Sequence, residues 1–332
     1  MSLRQRMKFA VKAVMNVHRS AGLPDIFLFA TPRGGSTWAM EILASQPGVK
    51  FFDEPLSPRR ENVRYGGWIP DYESLMPETG DPERILGFLR DLQAGRHGYM
   101  NVTPFRRNYR PLTNRALFKI HEIEHLMHAV TTRCNAAVVY LLRHPIATSV
   151  SRSLLPRLDL FLRSAFYAEI IGNPAQLTEI RSLATGGSQM QRAVVSWCYE
   201  NLIPLRSPSP EWLVVTYEEL VLNPEQSCDL LLRRLQFLDR DAMLAAFERP
   251  AVNIRMSHTQ TLDAMKSEDA SERRRRLVKK WLERVTPRQV AEAQAVLDAF
   301  GLDAYRAEAA LARRSLLHFE DTPERLESTP RG

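Results

Sequence analysis

Cysteine is scarce in this chain, with three residues, Cys134, Cys198 and Cys228, among 332. They lie far apart, with no CxxC spacing and no set that would make a disulfide framework. Neither a stapled secreted scaffold nor a cysteine zinc site is expected, and a reducing compartment fits the usage. Long apolar runs are also missing, and none approaches the roughly 20 residues that span a bilayer. The basic N-terminus has no extended apolar stretch and no small-residue cleavage site, so it does not read as a secretory signal, and the expected location is cytoplasmic. The GxxxxGK[ST] pattern is absent, which argues against an ordinary ATPase or kinase. There is no internal repeat. What remains is ordinary for a folded chain: 44% hydrophobic and 25% charged residues support one large α/β domain or two smaller ones. A net charge of +7 suits anionic ligands without choosing among a nucleotide, a nucleic acid and an acidic lipid.

The chain is organised around Asp25–Trp38, read as Asp-Ile-Phe-Leu-Phe-Ala-Thr-Pro-Arg-Gly-Gly-Ser-Thr-Trp. A strand-length apolar run enters a Pro/Gly loop, and a helical pattern with Trp38, Met40, Ile42 and Leu43 follows. Strand, small-residue loop and helix N-terminus make an anion cradle, in which loop N–H groups converge and Gly34 and Gly35 admit close approach. Arg33 adds charge at the lip, and Ser36 and Thr37 add hydroxyl donors. The competing reading is a plain βα turn whose glycines only shape the bend.

Residues 2–20 carry a basic amphipathic pattern (Leu3, Met7, Val11, Val14 and Val17 among Arg4, Arg6, Lys8 and Lys12) that predicts a helix, packed on its own domain or resting on an anionic membrane surface. Gly48–Pro55 reads as a strand ending in Asp53 and Glu54, which serve a ligand or are solvated loop charges. A long irregular segment over 55–114, interrupted by a helical patch near Ile85–Leu92, reads as functional loops. Ala116–His121 is a short strand placing Lys119 and His121 on one face. His125 and His128 read as surface positions of the helix that follows. Ala136–Leu142 is a continuous apolar run of the kind that parallel sheets bury. It ends at Arg143-His144-Pro145, with Ser151 two helical turns on, so Arg143 and Ser151 can converge on one anion. Residues 153–187 form a basic loop and helix, followed by a helix over Met190–Asn201 and a strand over Trp212–Tyr217. This alternation predicts α/β architecture with a central, mostly parallel sheet flanked by helices. The remainder reads as helical: Glu225–Leu238, Asp241–Phe247, the run Glu272–Arg276, and Pro287–Phe300 stopped by Gly301. The Arg run by itself is a solvated face. Residues 318–332 form a polar tail.

Two of these stretches together resemble the sulfotransferases that use 3′-phosphoadenosine 5′-phosphosulfate (PAPS). Thr31–Trp38 resembles their 5′-phosphosulfate loop, and Leu142-Arg143-His144-Pro145 through Ser151 resembles their 3′-phosphate motif, in the right order and each at a strand-to-helix junction. The resemblance spans roughly Asp25–Tyr305. It implies a P-loop-like sulfotransferase fold, with residues 23–317 as one domain between an N-terminal segment 1–22 and the tail. Long acceptor-side loops would run over about 55–114 and 153–187. It also implies a sulfuryl transfer from PAPS, leaving 3′-phosphoadenosine 5′-phosphate (PAP), to a hydroxyl or amine of a small-molecule, carbohydrate or lipid acceptor, without a required metal. Cosubstrate contacts are implied at Arg33, Gly34, Gly35, Ser36, Thr37, Trp38, Arg143, Ser151, Tyr217, Thr259, Arg274 and Arg275. Lys119-Ile120-His121 resembles the family's Lys-x-His, which makes His121 the acceptor's base with Lys119 and Arg33 on the transferring group. The family's loop Lys is replaced by Arg33, as in carbohydrate-acting and many bacterial members. There a Glu after the first helix often serves as base, and Glu54 stands in a comparable place. Arg276 replaces the Gly of the family's Arg-Lys-Gly. The rivals are a P-loop nucleotide kinase, a nucleotide-binding relic without transfer, and a nucleic-acid module. The last is disfavoured because Arg is spread among α/β elements rather than gathered in a stripe with stacking aromatics.

Overall fold

The computed structural model describes residue 7, residues 16–59, 69–96, 110–152, 155–251 and 269–313, and residue 315. Five strands form a parallel sheet: β2 (Asp25–Ala30), β3 (Val49–Asp53), β5 (Arg115–Ile120), β6 (Ala136–Leu142) and β7 (Leu213–Thr216). Their spatial order is β3-β5-β2-β6-β7. Alternate side chains of each strand enter different cores. Phe27, Phe29, Phe52, Phe118, Val138 and Tyr140 pack on one face. Ile26, Leu28, Phe51, Leu117, Val139 and Leu141 pack on the other. Both faces are therefore covered, and this is why β6 and β2 read as unbroken apolar runs. Phe118 stacks between Phe27 and Phe52 at 4.5 and 4.8 Å between centroids, fixing the registry of β2, β5 and β3.

Central β2 is flanked by β5 on one side and β6 on the other. The chain after it goes first to the β3 edge and later to the β6 side, so a crevice opens beyond the carboxyl end of β2. Helix α1 (Ser36–Leu43) starts there. Helix α2 (Pro145–Ser149) follows β6, and the longest helix, α3 (Gln189–Arg206), packs behind it. Helix α4 (Tyr217–Leu222) leaves β7, and α5 (Ala270–Lys279) lies against α4.

Several boundaries depart from the sequence reading. Tyr217 opens a helix instead of closing a strand, because the Thr216 hydroxyl accepts from the Glu219 N–H and caps α4. Val17–His18, the end of the segment predicted helical, is a two-residue strand (β1) pairing in parallel with Leu112–Thr113 (β4). Most of the rest of that segment, and all of residues 318–332, lie outside the described residues. The 153–187 stretch contains three helices, Leu158–Arg163, Ala165–Ile171 and Pro174–Gly186. Among the described residues no helix is long and apolar enough to cross a membrane.

Candidate functional site

The loop from β2 to α1 makes a tight reversal. Arg33 and Gly35 take positive φ, 69° and 89°, and the Gly34 N–H donates to the Thr31 carbonyl at 3.0 Å. Gly35 is required twice over. Its left-handed backbone disfavours a side chain, and a Cβ there would lie 2.5 Å from Cδ2 of Tyr217. No side chain caps α1, and its first residues, Ser36 and Thr37, line the crevice, where the helix dipole favours an anion.

A cavity of about 730 Å³ opens in front of this loop. Arg33, Arg59, Lys119, Arg143, Arg152, Arg249, Arg273, Arg274, Lys280 and Arg284 line it, against Glu54, Glu122 and Glu248. Arg143 joins its two halves. The guanidinium lies 4.1 Å above the Tyr217 ring, and Nη1 donates to the Arg33 carbonyl at 3.0 Å. Its Nε is buried without a hydrogen-bond partner, as is Nε1 of Trp281 in the same wall. Burial, then the charges of Arg143, Arg284 and Arg33, pushes the Lys280 ammonium down to about 8. Crowded cations and buried donors of this kind suit an anionic ligand.

An aromatic shelf adjoins the loop. Trp38 meets Tyr217 and Phe247 edge-on at 5.6 and 5.7 Å, and its Nε1 donates to the Arg249 carbonyl at 3.1 Å. Arg273 and Arg274 pair with Glu248 at 2.7 and 2.5 Å on the rim.

The ends of β3 and β5 bring the remaining groups together. Lys119 Nζ sits 2.5 Å from Asp53 and 3.0 Å from Glu54, and donates to the Thr37 hydroxyl at 3.2 Å. His121 Nδ1 is 2.6 Å from the Ala30 carbonyl, which can only accept, so this nitrogen carries a proton. Nε2 then points to the Ser36 hydroxyl and to Glu54 Oε1, each at 3.3 Å. With Nδ1 donating to Ala30, Nε2 is the ring nitrogen that faces the N-terminus of α1. Burial raises the Glu122 carboxyl, opposed by His121 and Arg157, and its Oε2 accepts the His121 N–H at 3.2 Å.

Of the residues read from sequence, Arg33, Gly35, Ser36, Thr37, Trp38, Glu54, Lys119, His121, Arg143, Ser151, Tyr217 and Arg274 all line one cavity. Gly34 lies in the same loop, where a Cβ would come within 2.9 Å of the Thr31 carbonyl oxygen. The Ser151 hydroxyl, just past α2, donates to carbonyls of that helix, Thr148 at 2.9 Å and Ala147 at 3.2 Å. Arg275 is exposed and does not line the cavity, while Thr259 lies outside the described residues. Lys280, Trp281 and Arg284 stand in the wall without having been read as site residues. Their signal was present: 273, 274, 277, 280, 281 and 284 follow helical spacing, and all line the cavity. His144, inside the Arg143 motif, is wholly buried and serves the core, stacked 4.2 Å from Trp281. His125 is half-buried against Phe166, not a surface position, whereas His128 is exposed. Burial, then Arg157, lowers His125 to about 4. No cluster of three or more His, Cys, Asp or Glu suited to a metal occurs among the described residues.

A five-stranded parallel sheet flanked by helices, with a glycine loop after its central strand, defines a P-loop-like α/β fold. The family description "Sulfotransferase domain" matches residues 23–309, and the chain belongs to that sulfotransferase family. Solved structures similar to it include mouse sulfotransferase SULT7A1 complexed with PAP, at 16% identity and TM-score 0.39, covering 90% of each chain. The sulfotransferase domain of the Synechococcus PCC 7002 olefin synthase shares 17% identity at TM-score 0.43, covering 86% of this chain and 97% of that one. The sulfotransferase domain of the curacin biosynthetic pathway shares 16% at TM-score 0.43, covering 84% and 98%. No curated protein sequence matches.

Proposed function

We propose that the chain transfers the sulfuryl group of PAPS to a hydroxyl or amine of a small-molecule, carbohydrate or lipid acceptor, with His121 as general base. The observation that carries this reading is the hydrogen bond from Arg143 to the Arg33 carbonyl. It ties the loop after β2 to the end of β6, so two charged groups of one ligand can be held by two motifs a hundred residues apart in sequence. The orphaned Arg143 Nε and the Gly35 cradle fit phosphate groups at those places, and the Trp38–Tyr217–Phe247 shelf suits an adenine ring.

In this reading Arg33, Lys119 and the N–H groups at the start of α1 hold the sulfuryl oxygens and the departing 5′-phosphate. The acceptor oxygen or nitrogen bonds to sulfur as the sulfur–oxygen bond to the 5′-phosphate breaks, in line, and PAP leaves. His121 Nε2 takes the acceptor's proton, and Glu54, 3.3 Å away, offsets the imidazolium charge that results. Sulfuryl carries less charge than phosphoryl, so the reading needs no metal. Calorimetry with PAP and AMP tests it. Loss of charge-assisted contacts worth about 1.5–3 kcal/mol should leave AMP bound roughly 10–150-fold more weakly. Equal affinities would contradict the 3′-phosphate assignment.

A further inference from the structure

We propose that Arg157 is a positioning residue for His121, holding the base in register from behind; this rests on the reading of His121 as base. Arg157 is 4% exposed and does not line the cavity. Its guanidinium forks onto Glu124, Nη1 to Oε2 at 2.8 Å and Nη2 to Oε1 at 2.6 Å. Nη2 also donates to the His121 carbonyl at 2.7 Å. The His121 N–H meanwhile goes to Glu122. Both main-chain polar groups of the base are thus taken by side chains where β5 has just ended. Between them lies Ile123 at φ 57°, a left-handed conformation that a β-branched residue resists. The turn persists because its surroundings over-determine it, and Arg157, joining His121 to Glu124 across Ile123, is the group that spans it. A further layer backs the clamp: Glu200 lies 3.6 Å from Arg157 and forks onto Arg152, which reaches the cavity wall. A lysine would keep the charge but could not serve the Glu124 fork and the His121 carbonyl together. Released, the turn would let Nε2 drift from the place where the acceptor's proton leaves.

The test is a double-mutant cycle on the full chain, with Arg157→Lys, His121→Ala and the combination, reading kcat at saturating PAPS and PAP affinity. In the wild-type background Arg157→Lys should lower kcat about 10–100-fold, the scale of a small misplacement of a reacting group. PAP affinity should stay within about twofold, and in the His121→Ala background the extra loss of kcat should also be within about twofold. Histidine nitrogen NMR gives a second readout: the His121 Nδ1–H signal should broaden or shift in Arg157→Lys, as a purely structural role elsewhere would not make it do. If Arg157→Lys does not fold, Glu124→Gln should give the same pattern, more weakly. Equal losses in both backgrounds, or no loss, would overturn the proposal while leaving the base in place. Full activity in His121→Ala would overturn the base reading instead, and the catalytic use of the clamp with it.

Discussion

The choice between His121 and Glu54 as base can be decided by two substitutions of different expected size. His121→Ala removes the ring nitrogen that lies 3.3 Å from the Ser36 hydroxyl in the crevice. A positioned base contributes about 10²–10⁴-fold, or roughly 2.7–5.5 kcal/mol of barrier, so kcat should fall by that much. The same change removes the His121 ring N–H from the Ala30 carbonyl, a bond of 2.6 Å. That costs about 1–3 kcal/mol of stability and is visible as a lower Tm, not as a lower kcat in the folded fraction. Glu54→Gln behaves differently. Lys119 keeps Asp53 at 2.5 Å, so the cation stays in place, and what disappears is the carboxylate beside the imidazolium. About a tenfold loss of kcat is expected, the scale of one hydrogen bond to a charged group. The assay is kcat at saturating PAPS with PAP affinity as control, which should change less than about threefold because neither side chain is assigned to the nucleotide. A dead Glu54→Gln alongside a nearly active His121→Ala would refute the reasoning and make Glu54 the base.

Four further outcomes follow from the same geometry. Arg143→Lys keeps a charge but loses the planar stack on Tyr217, so PAP should weaken about 10–150-fold with AMP nearly unchanged by calorimetry; parallel losses would count against a 3′-phosphate contact. Arg33→Ala should lower kcat more than PAP affinity, and the reverse would make Arg33 a binding residue only. Gly35→Ala forces a side chain into φ 89° and against Tyr217, so thermal unfolding should show a loss of about 1–2 kcal/mol or more, with weakened PAP binding; an unchanged Tm would contradict the packing. Lys280, depressed to about 8, loses its charge as pH rises through that value, and a bound polyanion raises it again. PAP binding near pH 8.5 should therefore take up a proton and weaken further above it, measured by calorimetry in buffers of different ionisation enthalpy; no uptake would place Lys280 away from the ligand.

The sequence disclosed most where one short stretch carried its own reason. Apolar runs at Ile26–Ala30 and Ala136–Leu142 specified buried parallel strands, since both faces of the sheet are covered. The glycine loop announced its turn, and the paired positions Lys119 and His121 did share a face. Features that depend on distant partners were not legible. The β1 strand exists only because Val17–His18 meets Leu112–Thr113. Arg157 looked like one charge in a basic loop, because its partners Glu124 and Glu200 lie far off in sequence. The Arg run was read as a block, although a helix admits only one face of it: Arg273 and Arg274 turn inward and Arg275 outward.

The most direct test of the central claim is incubation with sulfur-labelled PAPS and a panel of sugar, phenol, lipid and amine acceptors, scoring labelled product and PAP release together. The account predicts label transferred to at least one acceptor class, lost in His121→Ala, with only slow hydrolysis when no acceptor is present. PAP bound tightly but no label moved to any acceptor or to water would mean a nucleotide-binding protein without transfer. Turnover of MgATP in place of PAPS would contradict the account altogether.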